Sequence, residues 1–199
     1  MSEWFEQEEH TPSHIDDDTS YAKIDSLYEA AFYGNKEEVL KRLSSGENPD
    51  QLELEVNSTP LIAAILEGHT EIVDILLESG AKSDFIGFEG QLSTHVAAWC
   101  GHLDILKKLD SLGVSLDAKD DDGYTPLHLA AQNGHDDTVR FLAGRNVDLC
   151  AITHEGFTPA ALAQQYYNEH TAKLINEIVA VHLHPEDNYI DSKPNRPRP

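Results

Sequence analysis

Basic side chains are scarce in this chain of 199 residues. It has 14 Lys and Arg residues against 36 Asp and Glu residues, which gives a formal net charge of −22. Phosphate backbones and anionic lipid surfaces are bound through Lys and Arg, so nonspecific binding to nucleic acid or to a membrane is not expected. The excess of carboxylates favours a basic protein partner instead, because long-range attraction accelerates the encounter.

Cysteines and long apolar segments are few as well. Cys100 and Cys150 form no CxxC pair, so the sequence does not indicate a thiolate zinc site. The longest purely apolar run covers residues 61–66, far too short to cross a membrane. Residues 1–9 are acidic, whereas a signal peptide begins basic and then turns apolar. We therefore expect a soluble protein of the cytoplasm and/or nucleus with reduced thiols.

The sequence does contain a repeat of 33 residues. Residues 125–131 read TPLHLAA, and a Gly-His pair follows at position 134. The same pattern stands at residues 92–98 (LSTHVAA) and 59–65 (TPLIAAI), each with its own Gly-His pair, and a further copy begins at residues 158–163 (TPAALA). Agreement at several positions over four copies indicates a repeat architecture rather than a chance similarity caused by amino-acid composition.

Turn glycines keep the same spacing. One series comprises Gly90, Gly123 and Gly156, and the other comprises Gly80 and Gly113 with Asn146 next in line. Because Asn is the best substitute for Gly where φ is positive, we expect a positive φ at Asn146. A weaker copy lies upstream, around residues 30–46. Its spacing to the next copy is one residue longer, which predicts an extra residue in the connecting loop within residues 48–57.

Each repeat has a simple physical interpretation. The Thr of the Thr-Pro pair caps a short helix of small apolar residues, and Pro suits the first turn of that helix. A second helix carries apolar residues at helical spacing, such as Ile72, Val73 and Leu76, and Gly80 ends it. The following segment, rich in Asp and Gly, is predicted to form an extended turn or hairpin. One helix pair cannot bury its apolar face alone, so the units must stack.

The repeat closely resembles that of the ankyrin repeat family. The resemblance rests on Asp120, Gly123, residues 125–131, Gly134, His135, Val139 and Leu142, with their counterparts 33 residues away. It implies an all-α fold, an ankyrin-repeat α-solenoid of stacked helix-turn-helix units with connecting hairpin loops. Five units are expected near residues 21–50, 57–86, 90–119, 123–152 and 156–182. Residues 1–20 are predicted to be a disordered acidic tail and residues 183–199 a Pro-rich tail.

Three units depart from the pattern. The first opens with Ser26-Leu27 in place of Thr-Pro, and the last has Ala161 in place of His and Tyr167 in place of Gly. Both are expected to cap the stack. The third unit has Leu92-Ser93 in place of Thr-Pro, so we expect weaker helix capping there and a locally softer unit.

The eleven histidines do not follow a pattern typical of a metal or catalytic site. His95 and His128 occupy the family's Thr-Pro-Leu-His position, which implies hydrogen bonds between helix and hairpin. His69, His102 and His135 occupy the Gly-His turns, and residues on neighbouring units lie roughly 10 Å apart, too far to share one ion. No phosphate-binding glycine loop, GxSxG motif or HExxH motif occurs. We expect no enzyme, no catalytic residue, no metal and no cofactor.

The positions that the repeat leaves free are the candidates for binding. The resemblance implies that free hairpin positions and the two residues before each Gly-His pair line a concave face that binds partners. Among these positions, the large apolar side chains are Tyr33, Leu66, Phe88, Trp99, Tyr124, Phe157 and Tyr166, and the carboxylates include Glu89, Asp121 and Asp122. Exposed aromatic residues are typical of interface hot spots. Trp99 and Tyr124 are the strongest candidates because they lie on adjacent central units.

The function that these features favour is a non-enzymatic protein–protein interaction module. We expect a monomer that acts as an adaptor, scaffold or inhibitor and binds another protein, with a basic segment, through the concave face. The alternative is a dedicated chaperone or escort for a basic client such as a ribosomal protein or histone. Salt dependence distinguishes the two, because steering by charge is screened at high ionic strength.

Overall fold

A computed structural model describes residues 25–183, except residues 55, 86, 88 and 89, with Leu183 described by its backbone alone. The predicted N-terminal tail and all but the first residue of the predicted C-terminal tail lie outside the described residues. The described part contains ten helices: α1 (Leu27–Phe32), α2 (Lys36–Ser44), α3 (Pro60–Leu66), α4 (Thr70–Glu78), α5 (Ser93–Cys100), α6 (Leu103–Ser111), α7 (Pro126–Gln132), α8 (Asp136–Ala143), α9 (Pro159–Gln165) and α10 (Glu169–Leu183).

The helices form five antiparallel pairs that stack in two rows. The first helices of the pairs (α1, α3, α5, α7 and α9) pack side by side, and the second helices (α2, α4, α6, α8 and α10) form a parallel row behind them. No β-strand longer than an isolated bridge occurs in the described part of the chain. The predicted all-α solenoid is confirmed.

The first helices are short, and those of the three central units are largely buried. Thr59, Thr125 and Thr158 each accept a hydrogen bond at the helix N-terminus, and a Pro follows each of them. Every residue of α7 is buried, as is Pro60–Ile65 of α3. Small apolar side chains let these helices pack closely, so the core runs continuously through all five units.

The third unit lacks a side-chain cap, and the weaker capping predicted there is confirmed. Leu92 occupies the cap position and has no oxygen to offer. Its N–H donates to Nδ1 of His95 at 3.1 Å, while the hydroxyl of Thr94 donates to the carbonyl of Ser115 at 2.8 Å. The hydroxyl of Ser93 donates to the carbonyl of Ser83. The two hydroxyls at this helix start therefore bond outward to neighbouring loops.

The connecting hairpins differ in length at one place. Backbone hydrogen bonds join Glu53 to Ser58, Gly87 to Gln91, Asp120 to Tyr124 and Thr153 to Phe157. The first pair of partners is five residues apart, and the others are four apart. The extra residue predicted within residues 48–57 thus lies in the turn of the first hairpin, beside Asn57 with its φ of 47°.

The prediction of a positive φ at Asn146 is wrong. Outside glycine, the described residues with positive φ are Asn57 and Tyr167. Helix α8 ends one residue earlier than its counterpart α6, with Gly144 as its right-handed C-cap. After α6 the N–H of Val114 donates to the carbonyl of Leu109 at 3.1 Å across the left-handed Gly113, and the corresponding bond from Val147 to Leu142 does not form after α8.

A polar side-chain contact links neighbouring units along the second-helix row at each of the four interfaces. Three are ion pairs: Lys36–Glu71, Lys108–Asp74 at 2.9 Å, and Arg145, just after α8, with Asp110 at 2.8 Å. At the last interface Nδ1 of His170 lies 2.5 Å from Oδ2 of Asp136. There Asp136 also accepts a hydrogen bond from Thr171 at 2.6 Å. Burial raises the pKa of Asp136, but the hydrogen bonds from Thr171 and His170 outweigh it and leave that pKa below its usual value.

Candidate protein-binding surface

The C-terminal ends of the first helices carry four of the seven predicted apolar binding residues. Tyr33 and Tyr166 are the C-caps of α1 and α9 and are 61% and 49% exposed. Leu66 and Trp99 lie at the corresponding ends of α3 and α5 and are partly exposed. Tyr33 and Tyr166 thus stand at one repeat position, and Leu66 and Trp99 stand at the position one residue before it. We call this set, together with Tyr124 and Phe157, the concave row.

A ladder of side-chain hydrogen bonds supports the backbone beneath the concave row. In each case a side chain at the start of one unit's second helix reaches back to a carbonyl at the end of the preceding unit's first helix. The pairs are His69 with Phe32 (3.0 Å), His102 with Leu66 (3.2 Å), His135 with Trp99 (2.8 Å) and Asn168 with Gln132 (2.7 Å). The carbonyls of Leu66 and Trp99 are thus tied to the next unit.

Each histidine or asparagine side chain of this ladder lies against a glycine of the preceding unit. A methyl group on Gly101 would come within 2.6 Å of Nδ1 of His135, and one on Gly68 within 2.7 Å of the ring of His102. Both glycines also have a φ near +73°. Sequence inspection found the Gly-His pairs but missed this role. The signal was available, since Asn168 keeps the histidine position in the unit where Tyr167 replaces Gly.

A second set of imidazoles ties the first helices to the hairpins, as predicted for His95 and His128. Nε2 of His95 lies 3.1 Å from the carbonyl of Ala118 and 3.2 Å from that of Tyr124. Nε2 of His128 lies 3.1 Å from the carbonyl of Phe157. Burial lowers the pKa of both imidazoles to about 4, more than these hydrogen bonds raise it, so both are neutral at pH 7.

The hairpin residues of the concave row are only partly exposed. Tyr124 and Phe157 are half-buried, and the imidazoles of His95 and His128 contact their backbone carbonyls. Asp121 and Asp122 are exposed at the hairpin tip. The predicted binding residues Phe88 and Glu89 lie outside the described residues.

Asp120, one of the residues that carry the family resemblance, has a structural role in its hairpin. It is 5% exposed, and its Oδ1 accepts hydrogen bonds from the N–H groups of Asp122 at 3.1 Å and Tyr124 at 2.8 Å. Thr153 has the same role in the next hairpin, where its hydroxyl accepts from the N–H of Phe157 at 3.2 Å. These turns position the exposed carboxylates and the tyrosine that follow.

The potential around Tyr124 is negative. Burial raises the pKa of its hydroxyl to about 12, and Glu155, Tyr166, Asp120 and Asp122 add to the shift. The hydroxyl is therefore protonated at pH 7 and can donate a hydrogen bond. The tyrosines of the last two units and the hairpin carboxylates lie within electrostatic reach of one another.

The thiol of Cys100, the residue after Trp99, is not activated as a nucleophile. Burial raises the pKa of Cys100 to about 11, with a smaller contribution from Glu67, so the thiolate is negligible at pH 7. Cys150 is an exposed free thiol. Across residues 25–183, the described His, Cys, Asp and Glu side chains form no group of three or more that could hold a metal ion. None of the described helices combines the length and the apolar composition needed for a membrane span.

Comparison with known proteins agrees with the geometry of the stack. A family model for ankyrin repeats in three copies matches residues 27–120 and 95–183. Palmitoyltransferase ZDHHC13 of Homo sapiens is 41% identical to this chain over 73 residues, and that of Mus musculus is 42% identical over 72 residues. Each match covers 36% of this chain and 12% of the relative, so the chain matches about an eighth of these relatives' length.

Proposed function

Because this chain belongs to the ankyrin repeat family, we propose that it is a non-enzymatic adaptor, scaffold or inhibitor that binds a protein through the concave row. The repeats indicate a protein–protein interaction module, and their fold is typically non-catalytic. The palmitoyltransferase activity named for the relatives is not proposed here, since the match covers only 12% of them. The monomeric state and the cytoplasmic or nuclear location stay predictions.

One observation carries the proposal. Apolar side chains stand partly exposed at one of the last two positions before the turn in four of the five units, and the ladder ties the carbonyls of Leu66 and Trp99 to the next unit. Binding then costs little ordering, because the anchors are held before the partner arrives. Aromatic side chains in such positions supply most of the energy of typical interfaces.

The test is affinity capture with mass spectrometry, using the whole chain as bait. The Trp99→Ala/Tyr124→Ala variant should lose partners that the wild type retains, while its helicity by circular dichroism stays the same. The matched control is Leu40→Ala/Leu112→Ala, which removes two exposed apolar side chains associated with the second-helix row. If both variants capture the same partners as the wild type, the concave row is not the binding surface.

The second candidate function, a chaperone for a basic client, is favoured by the net charge of −22 and by the exposed hairpin carboxylates. A chaperone of this kind should suppress aggregation of its basic client at equimolar amounts. Its complex should weaken strongly in about 0.5 M salt, where the Debye length is about 4 Å. A complex that survives this salt and a client that still aggregates would favour the adaptor instead.

A further inference from the structure

The hairpins of the last two units bring carboxylates and tyrosines together at one end of the concave row. The N–H of His154 donates to the carbonyl of Asp122 at 2.9 Å, so the two hairpin tips touch. Glycine makes this approach possible, because a methyl group on Gly123 would come within 3.1 Å of the His154 nitrogen. Asp122 and Glu155 are both exposed on these touching tips.

Two tyrosines lie beside these carboxylates. The ring of Tyr124 packs edge-on against His128, with 5.9 Å between the ring centroids, so its orientation is held from one side. Tyr166 ends α9, which packs against α7, and its ring is about half exposed. Glu155, Tyr166 and Asp122 are near enough to the Tyr124 hydroxyl to raise its pKa, together with burial. We call Tyr124, Tyr166, Asp122 and Glu155 the tyrosine–carboxylate patch.

Two neighbouring features bear on what this patch can bind. The ammonium group of Lys119, at the base of the same hairpins, donates to the carbonyl of Ile152 at 3.0 Å. This hydrogen bond joins the Lys119 ammonium group to the backbone and not to a carboxylate of the patch. Tyr167, next to Tyr166, is 90% exposed although it has a φ of 62°, which a tyrosine adopts only at a cost. Because no described helix pair follows α9 and α10, this ring stays accessible beside Tyr166 in the chain.

On the premise that the concave row binds the partner, we propose that the tyrosine–carboxylate patch is the subsite for an arginine side chain of that partner. A guanidinium group is flat, so it stacks on a tyrosine ring while its N–H groups donate to carboxylates beside the ring. It is also more weakly hydrated than an ammonium group. A surface that combines partly buried rings with carboxylates therefore selects arginine over lysine.

The test is a titration of the isotopically labelled whole chain followed by NMR, with acetyl-Gly-Arg-Gly-amide as the probe. Lysine and citrulline versions of the peptide serve as probes of charge and shape, since citrulline is the uncharged analogue of arginine. We expect saturable shifts of the amides of residues 121–124, 154–157 and 165–167 with the arginine peptide. The affinity for the lysine peptide should be at least threefold lower, and the citrulline peptide should not bind.

Variants assign the binding to the patch. Tyr166→Ala should weaken arginine-peptide binding at least fivefold, whereas Tyr33→Ala, the equivalent position at the other end of the row, should not. Asp122→Asn/Glu155→Gln should weaken it as much, whereas Glu37→Gln/Asp137→Asn removes the same charge elsewhere and should have little effect. Both control acids are exposed in first turns of second helices.

Three outcomes would overturn the arginine subsite: shifts that map elsewhere, equal binding of the three peptides, or Tyr166→Ala binding like the wild type. This failure is distinct from a failure of the proposed function. If the Trp99→Ala/Tyr124→Ala variant loses its partners while the peptides bind without selectivity, the proposed function stands and the subsite falls. If the capture is unchanged, the proposed function falls, whatever the peptides do.

Discussion

At the scale of single residues, one glycine position controls how closely consecutive units approach. At Gly34, Gly68 and Gly101 the imidazole of the next unit occupies the space that a Cβ would need. Tyr167 occupies the same position in the fifth unit with a similar φ. No following helix pair lies over it in the described chain, so a side chain fits there, at a backbone cost of roughly 1–2 kcal/mol.

The first prediction concerns the two ways in which replacing such a glycine destabilises the fold. One is the backbone cost of a positive φ, and the other is the collision of the new methyl group with the next unit. Gly113 has a φ of 80° and nothing within 4 Å of its missing Cβ, so Gly113→Ala should cost about 1 kcal/mol from the backbone alone. Gly101→Ala has the same backbone cost and also collides with His135 at 2.6 Å. Its free energy of unfolding, measured in urea, should fall by at least about 1 kcal/mol more. Equal losses would mean that the imidazole is not packed against Gly101.

The second prediction concerns the buried imidazoles. His95 and His128 have a pKa of about 4 in the folded protein and 6.5 when unfolded, so below pH 6.5 the unfolded chain binds more protons. Stability is therefore full above pH 6.5 and is lost as the pH falls towards 4, by about 1.4 kcal/mol per pH unit for each histidine. Urea unfolding at pH 7, 6 and 5 measures the slope, and His128→Gln should reduce it. A slope that His128→Gln leaves unchanged contradicts this assignment.

At the scale of helices and hairpins, the start of α5 differs from the Thr-Pro start of α3, α7 and α9. Leu92 replaces the capping Thr, and the adjacent hydroxyls bond to neighbouring loops instead of to the helix. The helix still forms because residues of α5 such as Thr94, His95 and Ala98 are buried in the stack. Packing therefore compensates for the missing cap.

The third prediction restores that cap. Leu92→Thr provides a side-chain oxygen for the N–H of residue 95, as Thr125 does for residue 128. Leu92→Val has nearly the same shape without the oxygen, so it controls for the apolar contact that both variants lose. The Thr variant should have the higher free energy of unfolding, by about 1 kcal/mol. If the two variants unfold alike, a cap at this position contributes nothing.

What the sequence could predict at this scale follows the strength of the local signal. The Thr-Pro pairs and the 33-residue period predicted the helix starts because capping is a local property. The φ of Asn146 was predicted wrongly, since the backbone bond that closes the turn across Gly113 after α6 has no counterpart after α8. The polar contacts along the second-helix row were not foreseen, because a period does not reveal which side chains meet across an interface.

At the scale of the whole molecule, the exposed carboxylates and the aromatic side chains lie on the same surface. The chain has a net charge of −22, and exposed carboxylates such as Asp121 and Asp122 lie beside Tyr124 on the hairpin tips. A rigid stack presents these groups in fixed order, so a basic segment would be attracted at long range and anchored by aromatic contacts. The repeat predicted this surface only in outline, because the extent to which Tyr124 and Phe157 are buried depends on how the hairpins pack.

The central claim is that the concave row binds the partner, and the most direct measurement is the dissociation constant of a captured partner by isothermal titration calorimetry. Trp99→Ala/Tyr124→Ala should weaken binding about 100-fold or more, which corresponds to about 2.7 kcal/mol, while Leu40→Ala/Leu112→Ala should bind like the wild type. An unchanged dissociation constant for the Trp99→Ala/Tyr124→Ala variant, with its helicity intact, would contradict the claim.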